Sequence, residues 1–322
     1  MSSSLRPVTV GSVSLKNNLA LAPMAGITGA AFRILAAEGG AGLVVTEMVS
    51  ADSIKYGNKK SFRMLELNPG EHPVAIQIFG ADPATMALAA REVERHGADI
   101  VDINAGCPVR KVLRSGAGSG LMKTPLLLAD IISSVVKSVK VPVTVKFRVG
   151  IEAGENLGPL LARISEEAGA AAITLHGRPA SQFHTGPIDL PAMAATAAAV
   201  KIPVFGNGGV ADAAGARAML EAGCAGVAVG RAAVFNPMIF REIAAGLAGA
   251  PASALASQER IKLFVRFLEL SAGIYGEERG LARARKLVGY WLKGLPNASG
   301  ARASFMTLKT LKEARTLLIQ YM

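Results

Sequence analysis

The side chains able to do chemistry sit at regular places along the chain. Cys107 lies in Asn-Ala-Gly-Cys-Pro (104–108), directly after the apolar run Asp99–Ile103, with Arg110, Lys111 and Arg114 close behind. A lone cysteine is usually a small buried hydrophobe. Cys224 suits that description, because it stands just ahead of an apolar run in Glu-Ala-Gly-Cys-Ala-Gly (221–226). Cys107 does not, since it follows a run and has basic neighbours. Lys146 occupies the alternating segment Val-Thr-Val-Lys-Phe (143–147), where an ammonium group is costly unless an anion meets it. Two glycine turns, Gly206-Asn207-Gly208-Gly209 and Gly230-Arg231, follow the last two apolar runs. Backbone N–H groups at such turns can bind phosphate at a helix start, although glycine also serves a tight turn alone.

The elements that must position these groups are eight short apolar runs of buried-strand length. They are Asn18–Ala22, Leu43–Thr46, Val74–Phe79, Asp99–Ile103, Val143–Phe147, Ala171–Leu175, Pro203–Phe205 and Gly226–Val229. Helical segments separate most of them, including Pro83–His96 behind Asp82, Pro125–Val139, Leu157–Ala168 and Ala213–Ala222 behind Asp212. Eight β-α units predict an α/β fold of the TIM (β/α)8 barrel type. A doubly wound sheet is disfavoured, because the first run ends in Ala-Pro-Met-Ala-Gly without a Gly-rich dinucleotide fingerprint. In a barrel, functional residues lie just past the C-terminal strand ends. Here those ends carry Pro23 and Met24, Glu47, Gln77, Asn104 and Cys107, Lys146 and Arg148, His176 and Arg178, Asn207–Gly209, and Gly230-Arg231. One polar strand end is unremarkable, but a full ring of them is a site.

Composition sets the outer bounds. A chain of 322 residues can hold about two domains, or a barrel of about 250 residues with an appendage. The net charge of +11 favours an anionic partner. Residues 251–322 hold 12 basic and 5 acidic side chains, so most of the excess lies there. Gly246–Ser257 reads as a linker, which divides the chain into a barrel, 1–248, and a basic helical domain, 249–322. Three helices are expected in that domain: Gln258–Tyr275, Arg279–Lys293 and Phe305–Tyr321. Two cysteines suit a reducing cytosol and offer neither a disulfide framework nor a Cys-rich metal site. The start, MSSSLRPVTV, lacks a signal-peptide core, and Asn17–Phe32 is broken by Pro23, Gly26 and Gly29, so no membrane span is expected.

Taken in order, A-P-M-A-G-I-T (22–28), T-E-M (46–48), Q-I-F-G (77–80), D-I-N-A-G-C-P (102–108), G-A-G-S-G-L (116–121), V-K-F-R (145–148), L-H-G-R (175–178), G-N-G-G-V (206–210) and V-G-R-A (229–232) closely resemble the tRNA-dihydrouridine synthases, most like the bacterial B-type branch. The resemblance implies FMN as cofactor, NADPH as reductant and a D-loop uridine of tRNA as substrate. It puts the FMN phosphate at Asn207, Gly208, Gly209, Gly230 and Arg231, and Pro23, Met24 and Ala25 along the ring. Gln77 would meet the pyrimidine edge, Lys146 the N1/O2 region, and His176 the same cofactor. In this family a hydride reaches C6 of uracil and a cysteine thiol protonates C5 from the opposite face, which makes Cys107 the general acid. Asn104 and Arg178 would hold the base, Arg148 would also meet the substrate, and Arg110, Lys111, Arg114, Arg283, Arg285 and Lys286 would hold tRNA phosphates. Two departures are visible: Gly209 where the family often has Asp, and Leu287 where it often has His before an aromatic pair, here Tyr290-Trp291. The first should be tolerated in a backbone turn, and the second should touch only tail packing or RNA contact.

Two other readings are weighed against this one. A small-molecule FMN barrel oxidoreductase, dihydropyrimidine- or dihydroorotate-dehydrogenase-like, would share the phosphate turns but has no need of a +7 helical tail. A non-catalytic RNA-binding relic would not need Cys107, Lys146 and His176 together. No metal and no stable protein partner are expected.

Overall fold

The computed structural model describes residues 4–251 and 255–322. Eight parallel strands close into a barrel: β1 (Leu19–Leu21), β2 (Leu43–Val45), β3 (Val74–Phe79), β4 (Ile100–Asn104), β5 (Val143–Arg148), β6 (Ala172–His176), β7 (Val204–Asn207) and β8 (Gly226–Val229). Each pairs with its chain neighbour, β8 returns to β1, and β2 pairs with β3 to complete the ring. The eight expected runs are these strands, shifted by a residue or two at their ends. A short hairpin, Val8–Val10 with Val13–Leu15, precedes the barrel, and Val49–Ser50 adds a short pairing to β3. Neither was expected.

Period-two alternation decides what faces inward. On β5, Val143, Val145 and Phe147 join the large cluster shared with the outer helices, while Thr144, Lys146 and Arg148 take the other face. On β4, Val101 and Ile103 face out, and Ile100, Asp102 and Asn104 face in. Inside the barrel, Ala20, Ala22, Ala75, Ala172 and Ala228 pack with Leu43, Val45, Ile100 and Phe205, and with Val10 and Leu15 of the hairpin. The hairpin thus plugs the bottom and leaves the opposite mouth to the polar residues.

Helices α1 (Ala30–Glu38), α2 (Pro83–Arg95), α3 (Pro125–Ser138), α4 (Gly158–Glu167), α5 (Leu190–Ala198) and α6 (Ala213–Glu221) surround the barrel. Asp82 and Asp212 cap α2 and α6, each side chain accepting from the backbone N–H three residues on. After α7 (Ile239–Leu247) come α8 (Ser257–Tyr275), α9 (Glu277–Trp291), α10 (Ala298–Thr307) and α11 (Leu311–Ile319). The expected third tail helix, Phe305–Tyr321, is therefore two helices. Thr310 and Glu313 form a capping box that starts α11 afresh, and this local bonding wins over the continuous apolar spacing. The expected linker begins inside α7 at Gly246-Leu247, and its residues 252–254 lie outside the described residues.

Barrel and tail share one hydrophobic cluster, in which Phe32 and Leu35 of α1 belong with Phe264, Phe267, Leu268 and Leu287. Leu287 is buried there, so its departure from the family pattern is a packing matter. Of the aromatic pair, Trp291 is fully buried against Phe264 and Phe267, whereas Tyr290 is exposed. The tail also supplies a cap. Gly29 has no side chain to start α1, and the Tyr275 hydroxyl accepts from the Ala30 N–H at 2.7 Å instead. Tyr275→Phe is expected to cost about 1 kcal/mol, the usual loss for one hydrogen bond, measured as a lower urea midpoint with an unchanged slope.

Candidate active site

Strand register brings the predicted residues to one mouth. Gln77 pairs with Asp102, Asn104 with Lys146, Arg148 with His176, and His176 with Asn207. Four adjacent strands therefore present Gln77, Asn104, Lys146 and His176 side by side. Pro23 and Met24, half-buried, and exposed Ala25 form the loop after β1.

Cys107 is held through its backbone. Asn104 Oδ1 accepts from the Cys107 N–H at 3.0 Å and the Gly106 N–H at 3.3 Å, closing an Asx turn. The Cys107 carbonyl accepts from Ser119 N–H at 3.0 Å and Ser119 Oγ at 3.2 Å. Gly118, at φ +62°, permits this approach, since a Cβ there would stand 2.5 Å from that carbonyl oxygen. The Gly-Ala-Gly-Ser-Gly motif is thus the other wall of the Cys107 turn. Burial pushes the half-buried thiol above its usual range, against the pull of the Val109 N–H and the charges of Arg148 and Lys146. The thiol is protonated at neutral pH, as a proton donor must be. Cys224, pushed up to about 12 by burial beneath β8, is inert, and both cysteines are free.

Behind the turn runs a buried relay that the sequence reading missed. Asn104 Nδ2 donates to Gln77 Oε1 at 2.9 Å, and Gln77 Nε2 donates to Asp102 Oδ2 at 2.6 Å. Thr144 Oγ1 donates to Asp102 Oδ1 at 2.6 Å. Burial raises Asp102 to about 6, opposed by these two hydrogen bonds and by Lys146. Asn104, expected to hold a base, spends its carboxamide oxygen on the Cys107 turn.

The opposite side of the mouth is a cationic cup. Burial, then the charge of Arg148, pushes Lys146 down to about 8, and among the described residues its ammonium group makes no hydrogen bond or ion pair. His176 is driven far below its ordinary value by burial, then by Lys146 and Arg148. Its Nε2 is buried with no partner among the described residues. The Gly208-Gly209 turn lies against it: φ is +117° and +71°, and a Cβ on Gly208 would stand 2.8 Å from the His176 ring. Gly209 is therefore suited to its place. Arg178, expected at the base, stands beside Gly209, with Nε bonded to Gly186 O at 2.8 Å. Asn207 Nδ2 donates to Ala228 O at 2.7 Å and ties β7 to β8. Exposed Arg231 follows Gly230 and reaches His184 O at 3.0 Å.

Arg148 is a clamp. Its Nε donates to Gly106 O at 2.9 Å, and its NH1 to Pro179 O at 3.1 Å and Phe183 O at 2.9 Å. Of the tail cations, Arg283 stacks 4.1 Å over Tyr275 and meets Glu47 Oε1 at 3.3 Å. The other oxygen of Glu47 accepts from Gly26 N–H at 2.5 Å, so Arg283 pins the tail to the loop after β1. Arg285 donates to Leu308 O at 2.7 Å, within the tail. Lys286 is exposed and has no such partner among the described residues, with Nζ 3.6 Å from where a Gly26 Cβ would be. Arg110, Lys111 and Arg114 are exposed on and after the short helix Arg110–Leu113. Among the described residues no group of His, Cys, Asp or Glu is placed to hold a metal, and no helix is long and apolar enough to cross a membrane.

Comparison with known proteins accords with this geometry. In fold, the chain is similar to the old yellow enzyme from Trypanosoma cruzi (TM-score 0.58, 12% identity, covering 85% of this chain and 97% of that one). It is likewise similar to a morphinone reductase (TM-score 0.54, 15% identity, covering 79% of this chain and 92% of that one). In sequence, it is 41% identical over 307 residues to tRNA-dihydrouridine synthase B of Pseudomonas aeruginosa, covering 94% of this chain and 92% of the relative. The namesake of Shewanella oneidensis is 37% identical over 314 residues, covering 97% of each. The family model described as dihydrouridine synthase (Dus) matches residues 20–321, and the chain belongs to that family.

Proposed function

We propose that this protein reduces uridine in the D-loop of tRNA to dihydrouridine, with FMN as its cofactor and NADPH as the source of electrons. The observation that carries the reading is the pairing, at one barrel mouth, of a protonated Cys107 with a cationic cup holding an unpartnered His176 Nε2. FMN fits that cup. The Gly208-Gly209 turn, Gly230, Arg178 and Arg231 would take the phosphate, and Pro23, Met24 and Ala25 would lie along the ring. Gln77 and His176 would hydrogen-bond to it, and Lys146 would face the edge that becomes anionic on reduction. When bound, the flavin supplies the hydride that adds to C6 of uracil.

The chain's own residues do the rest. Cys107 holds a proton at Sγ and delivers it to C5, so one hydride and one proton saturate the C5=C6 bond. The thiolate left behind is met by Arg148 and Lys146, the charges that already oppose its high pKa. A uridine in folded tRNA must leave its stack to reach this mouth. Free surface cations, Arg110, Lys111, Arg114 and Lys286, would meet phosphates, and the tail, 249–322, would serve as the tRNA-binding unit on the barrel, 1–248. A small-molecule reductase would not need these. The setting is the reducing cytosol. Mass mapping of dihydrouridine in tRNA from a deletion strain, with and without this gene, tests the reading. Loss without the gene and return with it are expected, and an unchanged map overturns it.

Lys146 gives a pH test. A lysine at about 8 in the free protein must be protonated to meet an anion, so affinity for reduced FMN should fall as pH rises from 8. Anaerobic titration of apoprotein with reduced FMN between pH 7 and 10 is expected to show a loss that steepens above that value, by at most tenfold per pH unit, and Lys146→Met should flatten the slope.

A further inference from the structure

The loop after β6 carries an unusual residue. Phe183 has φ +48° and ψ −93°, a conformation that bulky side chains rarely adopt. Such strain persists only where surroundings hold it. Here they do. Ala180 and Ser181 donate to Gly150 O and Ile151 O at 3.0 and 2.9 Å, and Arg178 Nε holds Gly186 O. Arg148 NH1 takes the Phe183 carbonyl at 2.9 Å, Arg231 takes the next one, and the His184 ring stacks on His176 with centroids 6.0 Å apart.

This fixing does not serve to bury the ring. Phe183 is 51% exposed, belongs to neither hydrophobic cluster and, among the described residues, faces no other aromatic ring. Its place is equally defined. The guanidinium of Arg148 that holds Phe183 O also holds Gly106 O, one residue before Cys107. The exposed ring thus belongs to a backbone one guanidinium away from the turn that carries the acid. Arg148, Arg178 and Arg231 hold the backbone of its loop, so the loop carries positive charge, which suits a polyanion whose bases are apolar on their faces.

We propose that Phe183 is a stacking surface for an unpaired nucleobase of the substrate RNA at the barrel mouth. An extruded nucleotide loses its neighbours' stacking, and an aromatic ring restores part of that loss irrespective of base identity. The strain is then the cost of presenting a rigid ring to solvent. The inference rests on the proposed tRNA activity, and its test separates the two.

The experiment is steady-state kinetics on unmodified tRNA transcript with the holoenzyme and four variants, Phe183→Ala, Phe183→Leu, Phe183→Tyr and Phe183→Gly. If wild-type enzyme forms no dihydrouridine, the activity itself is refuted. Given that activity, Phe183→Ala and Phe183→Leu are expected to raise KM for tRNA about tenfold, within the range of one lost base–aromatic stack. Phe183→Tyr should keep it within twofold. FMN content and the rate of flavin reduction by NADPH without tRNA should not change. Phe183→Gly relieves the positive φ, so it should melt no lower than wild type yet share the KM defect. Full affinity in the Ala and Gly variants, rescue by Leu equal to that by Tyr, or loss of FMN in any variant would each overturn the proposal.

Discussion

Cys107→Ala is expected to retain FMN and to lose tRNA reduction by about 10²–10⁴-fold, the scale of a missing general acid. Asn104 Oδ1 and Ser119 hold the Cys107 backbone, not its sulfur, so removing Sγ leaves the loop and the cup in place. Binding should survive and chemistry should not. Single-turnover reoxidation of the pre-reduced enzyme by tRNA measures the step directly, with flavin absorbance as the control. Because burial raises the thiol above its ordinary value, the wild-type rate should stay level across neutral pH and decline only where the thiol ionises. Cys107→Ser keeps the shape but is a far weaker acid, so it should resemble the alanine variant. Cys224→Ala, beneath the barrel, should leave turnover unchanged. Wild-type reoxidation in Cys107→Ala would remove this residue from the chemistry.

The barrel was legible because buried parallel strands are written as short apolar runs, with glycine just before several of them and something reactive after. Register then did the rest: once eight strands close, Gln77, Asn104, Lys146 and His176 must share a mouth. The tail was less legible. Apolar spacing runs through Phe305–Tyr321 without a visible break, and only Thr310 with Glu313 marks the new start. The boundary between barrel and tail is also softer in space than in sequence. Tyr275 caps α1 and Leu287 packs beside Phe32, so cutting the chain near residue 250 would uncover the barrel's own core. Substituting Lys286 and the Arg110–Arg114 cations is the cleaner probe of RNA contact.

Cations were the least legible feature of the site. Residue type shows that Arg148, Arg178, Arg283 and Arg285 carry charge, but not whether backbone carbonyls or a ligand will receive it. Arg148 clamps two loops, Arg283 meets Glu47, and Arg285 closes on Leu308 O. Each direction is set by an irregular loop or helix end, which has no periodicity to read. Asp102 escaped for the opposite reason. Its run, Asp-Ile-Val-Asp-Ile, counts as apolar on average, and averaging hides a carboxylate that faces the barrel axis.

That carboxylate supports the second large effect. Asp102 accepts from Gln77 and Thr144, and Gln77 in turn accepts from Asn104, whose oxygen holds the Cys107 turn. Asp102→Ala strips two buried donors of their acceptor at about 1–3 kcal/mol each, so it should destabilise the fold and cut turnover by about 10²-fold. Asp102→Asn is the more telling variant. Its carboxamide cannot accept through both arms, and its amino group faces either Thr144 or the Gln77 amide. The threonine hydroxyl can rotate to accept, but a flipped Gln77 loses the bond from Asn104. Turning the amino group to Thr144 keeps the relay, so what the variant loses is the negative charge that supports Lys146, and turnover should fall by less than in Asp102→Ala. Stability should move the other way. A carboxyl raised to about 6 binds its proton more tightly folded than unfolded, so the ionised form weakens the fold progressively as pH rises from about 4 to 6 and above. Replacing it with a neutral amide removes that burden at pH 7. The expected signature is a melting temperature at or above wild type together with slower chemistry and weaker FMN binding. A merely structural residue would lose stability and activity together, and that outcome would refute a positioning role for Asp102.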